Sequence, residues 1–189
     1  MRYISISLLF LFAVPIAGFA QVELESEERK IVPAGVIINE DYAVAGETVE
    51  ISGTVRGDTY IIGGQVFING HIEGDLLAVG GTVTISGSVS QNIRVLGGQV
   101  MVSGTVGRNA TVAAMNANFT DSSVVEGGVV AGGSNVLMAG VVGKSAKVAG
   151  RTLNMTGTVE GDVEAAVQTI RVTSDAAIGG NFTYWSNRV

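Results

Sequence analysis

A chain of 189 residues with 47 % hydrophobic and 15 % charged side chains is long enough for one ordinary core and too apolar to stay disordered. Its 27 Gly come with 2 Pro and no triplet period, which excludes a collagen-like helix. Acidic residues outnumber basic ones by 17 to 11, which argues against a nucleic-acid partner, and the absence of Cys beside a single His, His71, removes disulfides, thiolate chemistry and Cys-based or two-His metal sites.

Residues 1–20 have the layout of a secretory signal peptide. Arg2 opens a short positive start, residues 3–16 are almost wholly apolar, and Gly18 and Ala20 are small residues at the spacing a signal peptidase reads, so cleavage is expected before Gln21. An uncleaved membrane anchor is the competing reading. The apolar stretch falls short of the roughly 20 residues that span a bilayer, and Pro15 interrupts it. Export places the protein outside the cytoplasm, in the periplasm or at the cell surface, with membrane association left open. Residues 21–36 follow as an acidic leader carrying Glu23, Glu25, Glu27 and Glu28, and read as solvated.

From residue 37 the chain is a repeat domain. Starting at Asp41 it divides into units of 17 residues, 41–57, 58–74, 75–91, 92–108, 128–144 and 145–161, with two of 19 residues at 109–127 and 162–180. The lengthened units carry their extra pair at one corner, around Ser122-Ser123 and Ala176-Ala177. Reading down the units gives columns. The fourth position runs Val44, Ile61, Ala78, Val95, Val112, Ala131, Val148, Ala165, and the ninth runs Val49, Val66, Val83, Val100, Ala117, Val136, Leu153, Ile170. The eleventh (Ile51 through Phe119 to Val172) and the one before the last corner (Val55 through Val89 to Ile178) are equally free of polar residues. A polar eighth position, Thr48, Gln65, Thr82 and their successors, gives the alternation of short β-strands. Gly at the corners opposes helix and suits positive φ.

Three short strands per unit, separated by Gly corners, can bury their apolar sides only if each unit coils once and stacks on the next. The expected fold is all-β, a single parallel β-helix (β-solenoid) of about eight to nine coils of 17 residues. At about 4.8 Å per coil it makes a rod on the order of 40 Å long. The first position of each unit, Asp41, Asp58, Asp75, Asn92, Asn109, Gly128, Ser145, Asp162 and Asn181, is a turn-forming column, its residues expected to bond their own backbone. A calcium ladder there is disfavoured, because each corner supplies one carboxylate and calcium takes six or more oxygens.

The recurring phrases Val55-Arg56-Gly57-Asp58, Gly80-Gly81-Thr82-Val83-Thr84-Ile85-Ser86-Gly87 and Gly157-Thr158-Val159-Glu160-Gly161-Asp162 resemble the bactofilin or polymer-forming cytoskeletal family. The closing run 177–186 looks like the end of the repeat domain in exported, membrane-associated members. The resemblance covers residues 37–186. It implies a right-handed winding, end-to-end self-assembly without nucleotide, and a scaffolding role in cell shape or envelope organisation. The cytoplasmic setting of typical members departs from the export signal here.

The expected partner is therefore the chain itself, as an end-to-end homopolymer, with membrane or cell-wall components as further partners and no nucleotide, cofactor or metal. Open solenoid ends present unpaired strands that must be capped or joined. Phe182, Tyr184 and Trp185, gathered at the C-terminal end, are the candidate self-assembly interface, with a plain cap as the competing role. His71 reads as an exposed corner residue with no nucleophile beside it, and short corners without long loops argue against an enzyme. Absence of an eighteen-residue hexapeptide period argues against acyltransferase solenoids, and only Thr82-Val83-Thr84 has the form of an ice-binding ladder. Non-enzymatic scaffolding is the leading function; a surface adhesin or carbohydrate-binding β-solenoid is the alternative.

Overall fold

A computed structural model describes residues 28–185, so the expected signal peptide at residues 1–20, the start of the expected leader and residues 186–189 lie outside the described residues. Among the described residues every regular element is a strand, and all pairing is parallel. The chain is a β-solenoid with two sheets, one of 10 strands running from Arg29–Val32 to Phe182–Trp185 and one of 9 short strands running from Ile37–Ile38 to Ala177–Ile178.

Register follows the repeat: Val49 lies against Val66, Val66 against Val83, Val83 against Val100 and Val100 against Ala117. Like residues therefore stack on like, and the four apolar columns face a dry interior. Twenty-eight of their 32 members are buried; Val44, Ile170, Val172 and Ile178, all in the first or last coil, are not. The outward third position sets Lys147 beside Glu164 in adjacent coils, with a 3.2 Å ion pair.

Each coil has two strands rather than the expected three. A single strand of 10 residues, such as Thr59–Ile68, bends at Gly63-Gly64 without leaving the ladder, and a strand of 2 residues, such as His71–Ile72, forms the opposite side. The bend shifts the inward phase from Thr59 and Ile61 to Val66 and Ile68, which is why alternation in the sequence reads as two pieces.

The corner glycines also work differently from expectation. Among the described residues only Gly35 has positive φ. At the thirteenth position, a Cβ on Gly70, Gly87, Gly104 or Gly157 would collide with the carbonyl oxygen of the glycine one coil below, so Gly is required for close approach and not for its dihedral freedom. The two-residue insertions occupy this same corner, at 121–122 and 174–175, each closed by a turn in which the amide of Ser123 or Ala176 donates to Thr120 or Thr173.

The leader differs from its reading as solvated chain. Arg29–Val32 pairs in register with residues 48–51, and the Val36 amide donates to Pro33 at 3.1 Å, the same turn as at the two inserted corners. Ala34-Gly35 is thus a third insertion, and the solenoid begins by Arg29, eight residues before the boundary placed at 37. This further unit, described from residue 28 on, escapes sequence reading because Lys30 stands in its apolar ninth column.

One buried hydroxyl breaks the pattern. Thr59 lies in the second-position column with Leu76 and Ile93, fully buried, and its Oγ1 has no hydrogen-bond partner. Thr59→Val keeps the shape and removes the desolvated group, and a gain of about 1 kcal/mol is expected in urea unfolding. An unchanged or lower midpoint would show that the hydroxyl is satisfied.

Candidate functional site

Geometry concentrates unsatisfied surface at the two tips. At the lower tip the described chain supplies positions 8–17 of a coil, as Arg29–Val32 and Ile37–Ile38, and leaves Tyr42, Val44 and Gly46 without a described strand beneath them. At the upper tip it supplies positions 1–5, because Phe182–Trp185 pairs with residues 163–166 while residues 167–172 have no described strand above. Half of the exposed large apolar residues sit here: Ile31, Val36 and Ile37 below, Val172, Tyr184 and Trp185 above.

The three aromatic residues do not act alike. Phe182, above Val163, is partly buried against the core, and its ring meets Tyr184 at a 5.5 Å centroid separation. Tyr184 continues the inward column of Ala165, yet with nothing described above it remains 58 % exposed. Trp185 continues the outward column of Ala166 and is 45 % exposed. Phe182 thus covers the last coil, and Tyr184 and Trp185 stand free for contact. Sequence reading missed the lower tip, because Ile31 and Val36 belong to the segment taken as leader and Ile37 is the first residue of the repeat domain.

The first-position column is a hydrogen-bonded ladder. The Asp and Asn side chains accept the amide of their counterpart one coil up: Asp41 from Asp58 at 2.8 Å, Asp58 from Asp75 at 2.8 Å, Asp75 from Asn92 at 2.9 Å, Asn92 from Asn109 at 3.2 Å, Asn109 from Gly128 at 3.0 Å and Asp162 from Asn181 at 2.7 Å. The bonds run between coils, not to each residue's own backbone as expected. Among the described residues no cluster of three or more His, Asp or Glu is placed to hold a metal ion.

Burial pushes the Asp75 carboxyl up, but the amides of Asn92 and the Arg94 guanidinium, 3.0 Å away, outweigh it and hold the group below its usual range. A depressed folded value contributes stability that is complete above the unfolded value of about 3.9 and is lost as pH falls through the folded one. Asp75→Asn is therefore expected to lose less melting temperature than the wild type between neutral pH and about pH 2, measured by circular dichroism. Parallel acid profiles would refute the assignment.

His71 is half-buried rather than exposed, and its Nδ1 lies 2.6 Å from the Ser88 hydroxyl in the next coil. The expectation of no nucleophile beside it is corrected: the in-register pairing of residues 71 and 88 creates a Ser–His contact that linear spacing conceals. The pair lies on the outer face of the short sheet, where it ties two coils together.

No family model matches the chain, and neither a curated protein nor a solved structure matches it.

Proposed function

We propose that this protein is a non-enzymatic, self-assembling structural subunit, bactofilin-like, that joins through its tips into filaments or scaffolds of the cell envelope after export. The observation that carries the reading is that, among the described residues, strand edges without a neighbour coincide with exposed apolar side chains at both tips. Unpaired parallel edges recruit further strands, and Tyr184 and Trp185 are of the type enriched at interface centres. Export rests on the arrangement of residues 1–20, and the envelope role on the resemblance of the repeat phrases.

Negative-stain electron microscopy and sedimentation velocity of the purified protein test it. Filaments or long rods whose mass grows with concentration are expected. Monodisperse single rods at every concentration would overturn the assembly reading, and glycan binding by such rods would favour the adhesin instead.

A further inference from the structure

Among the described residues, the partial coils at the two tips are complementary parts of one coil. Position by position, the upper tip supplies 1–5, as residues 181–185, and the lower tip supplies 8–17, as residues 29–40. The geometry points to a head-to-tail joint in which the upper half-coil of one copy and the lower half-coil of the next lie at the same level and supply positions 1–5 and 8–17 of one coil shared by two chains. This rests on the self-assembly reading above and specifies its contact: a second copy, same polarity, in register.

Such a joint continues every ladder. Residues 29–32 of the second copy would lie on residues 169–172 of the first, residues 37–38 on residues 177–178, and residues 182–185 of the first beneath residues 42–45 of the second. All four incompletely buried members of the inward columns gain a neighbour: Val44 above Tyr184, Ile170 beneath Lys30, Val172 beneath Val32 and Ile178 beneath Ile38. Exposed apolar area is removed from water at each.

One feature of the chain fits this contact rather than a tip meeting its own kind. The coil at 162–180 and the half-coil at 28–40 both carry the two-residue corner insertion, at 174–175 and 34–35, so the widened corners coincide when one is laid on the other. Phe182 and Tyr184 of one copy would bring aromatic rings to the second and fourth columns, beneath Tyr42 and Val44 of the next. Like-to-like contact would set positions 1–5 against positions 1–5 at two upper tips, or positions 8–17 against positions 8–17 at two lower tips, with reversed strand direction, leaving both half-coils unfilled.

Cysteine cross-linking tests the joint cleanly, because the chain has no native Cys. Tenth-position residues Ile31 and Arg171 are both outward and exposed, so Ile31→Cys and Arg171→Cys leave the core intact. In the joint their Cα atoms would be about 4.8 Å apart, within disulfide reach. After mild oxidation of an equimolar mixture of the two single variants of the full chain, the 31–171 heterodimer is expected to exceed either homodimer severalfold, and the double variant is expected to give a ladder of covalent multimers on a non-reducing gel. Dominant 31–31 or 171–171 homodimers, or assembled particles without any 31–171 bond, would overturn the joint while leaving self-assembly standing. Monomers throughout in sedimentation velocity would overturn both.

Discussion

Val100→Asp is expected to abolish folding. Val100 is fully buried in the fourth complete coil, stacked between Val83 and Ala117 and remote from either tip, so no fraying of the ends can carry an introduced charge to water. Its inward neighbours are aliphatic, and an ionised carboxylate there would have no partner. The cost of such a charge, or of holding it protonated, is about 4 kcal/mol or more, a large share of the roughly 5–15 kcal/mol that stabilises an ordinary domain. The next residue back, Gln99, points outward between Thr82 and Asn116, so Gln99→Asp changes charge identically and should melt within a few degrees of wild type. Circular dichroism and soluble yield separate the two. The sign with pH is also fixed: burial raises the carboxyl's folded value, so the penalty relative to wild type grows above about pH 4 and shrinks below it. Near-normal melting of Val100→Asp would mean that the ninth column does not face inward.

The difference between these two neighbours was legible in the sequence, because it depends only on a period and on residue type. Columns such as Val66, Val83, Val100 and Val136 identify the interior without any knowledge of strand count, and the coil number follows from the period. Less legible was everything set by contacts across the coils. Ser88 is 17 residues from His71, and only winding makes them neighbours. The Asx column has the same residue types whether it bonds locally or upward, and the ladder is decided by the rise between coils. At the lower tip, the apolar pattern is diluted by Lys30 and the preceding glutamates until the half-coil passes for a leader. Terminal units of a stacked array have a neighbour on one side only, so their sequence is released from the constraints that make internal units recognisable. The candidate assembly surface is built from those very units, which is why its upper aromatics were visible by type and its lower partner was not.

The thirteenth-position glycines provide the second large effect. Gly87→Ala is expected to destabilise by about 3 kcal/mol, since the added methyl meets the carbonyl oxygen of Gly70 and relief requires spreading two coils whose ladder spacing is fixed by hydrogen bonding on both sides. Both amides at this corner, Ser86 and Gly87, donate to the single carbonyl of Ile68 at 2.9 Å, so the backbone has no slack to absorb the shift. The chain itself contains the comparison. All six coils of 17 residues have Gly here (Gly53, Gly70, Gly87, Gly104, Gly140, Gly157), whereas the three with the inserted pair have Val36, Ser123 and Ala176. Insertion opens the corner into a hydrogen-bonded turn and makes room for a side chain, and Ser123 uses that room to donate its hydroxyl to Thr120 at 2.8 Å. Length and residue type at this corner are therefore one choice. Gly132→Ala serves as the control: an added Cβ there finds its nearest atom, the Ala149 carbonyl oxygen, at 4.0 Å, and its column already holds Ala113 and Ala149. That variant should be neutral or gain a few tenths to about 1 kcal/mol from the stiffer unfolded chain. Urea midpoints for the two variants measure the contrast. Equal stability of Gly87→Ala and Gly132→Ala would show that backbone approach between coils is not what reserves the thirteenth position for glycine.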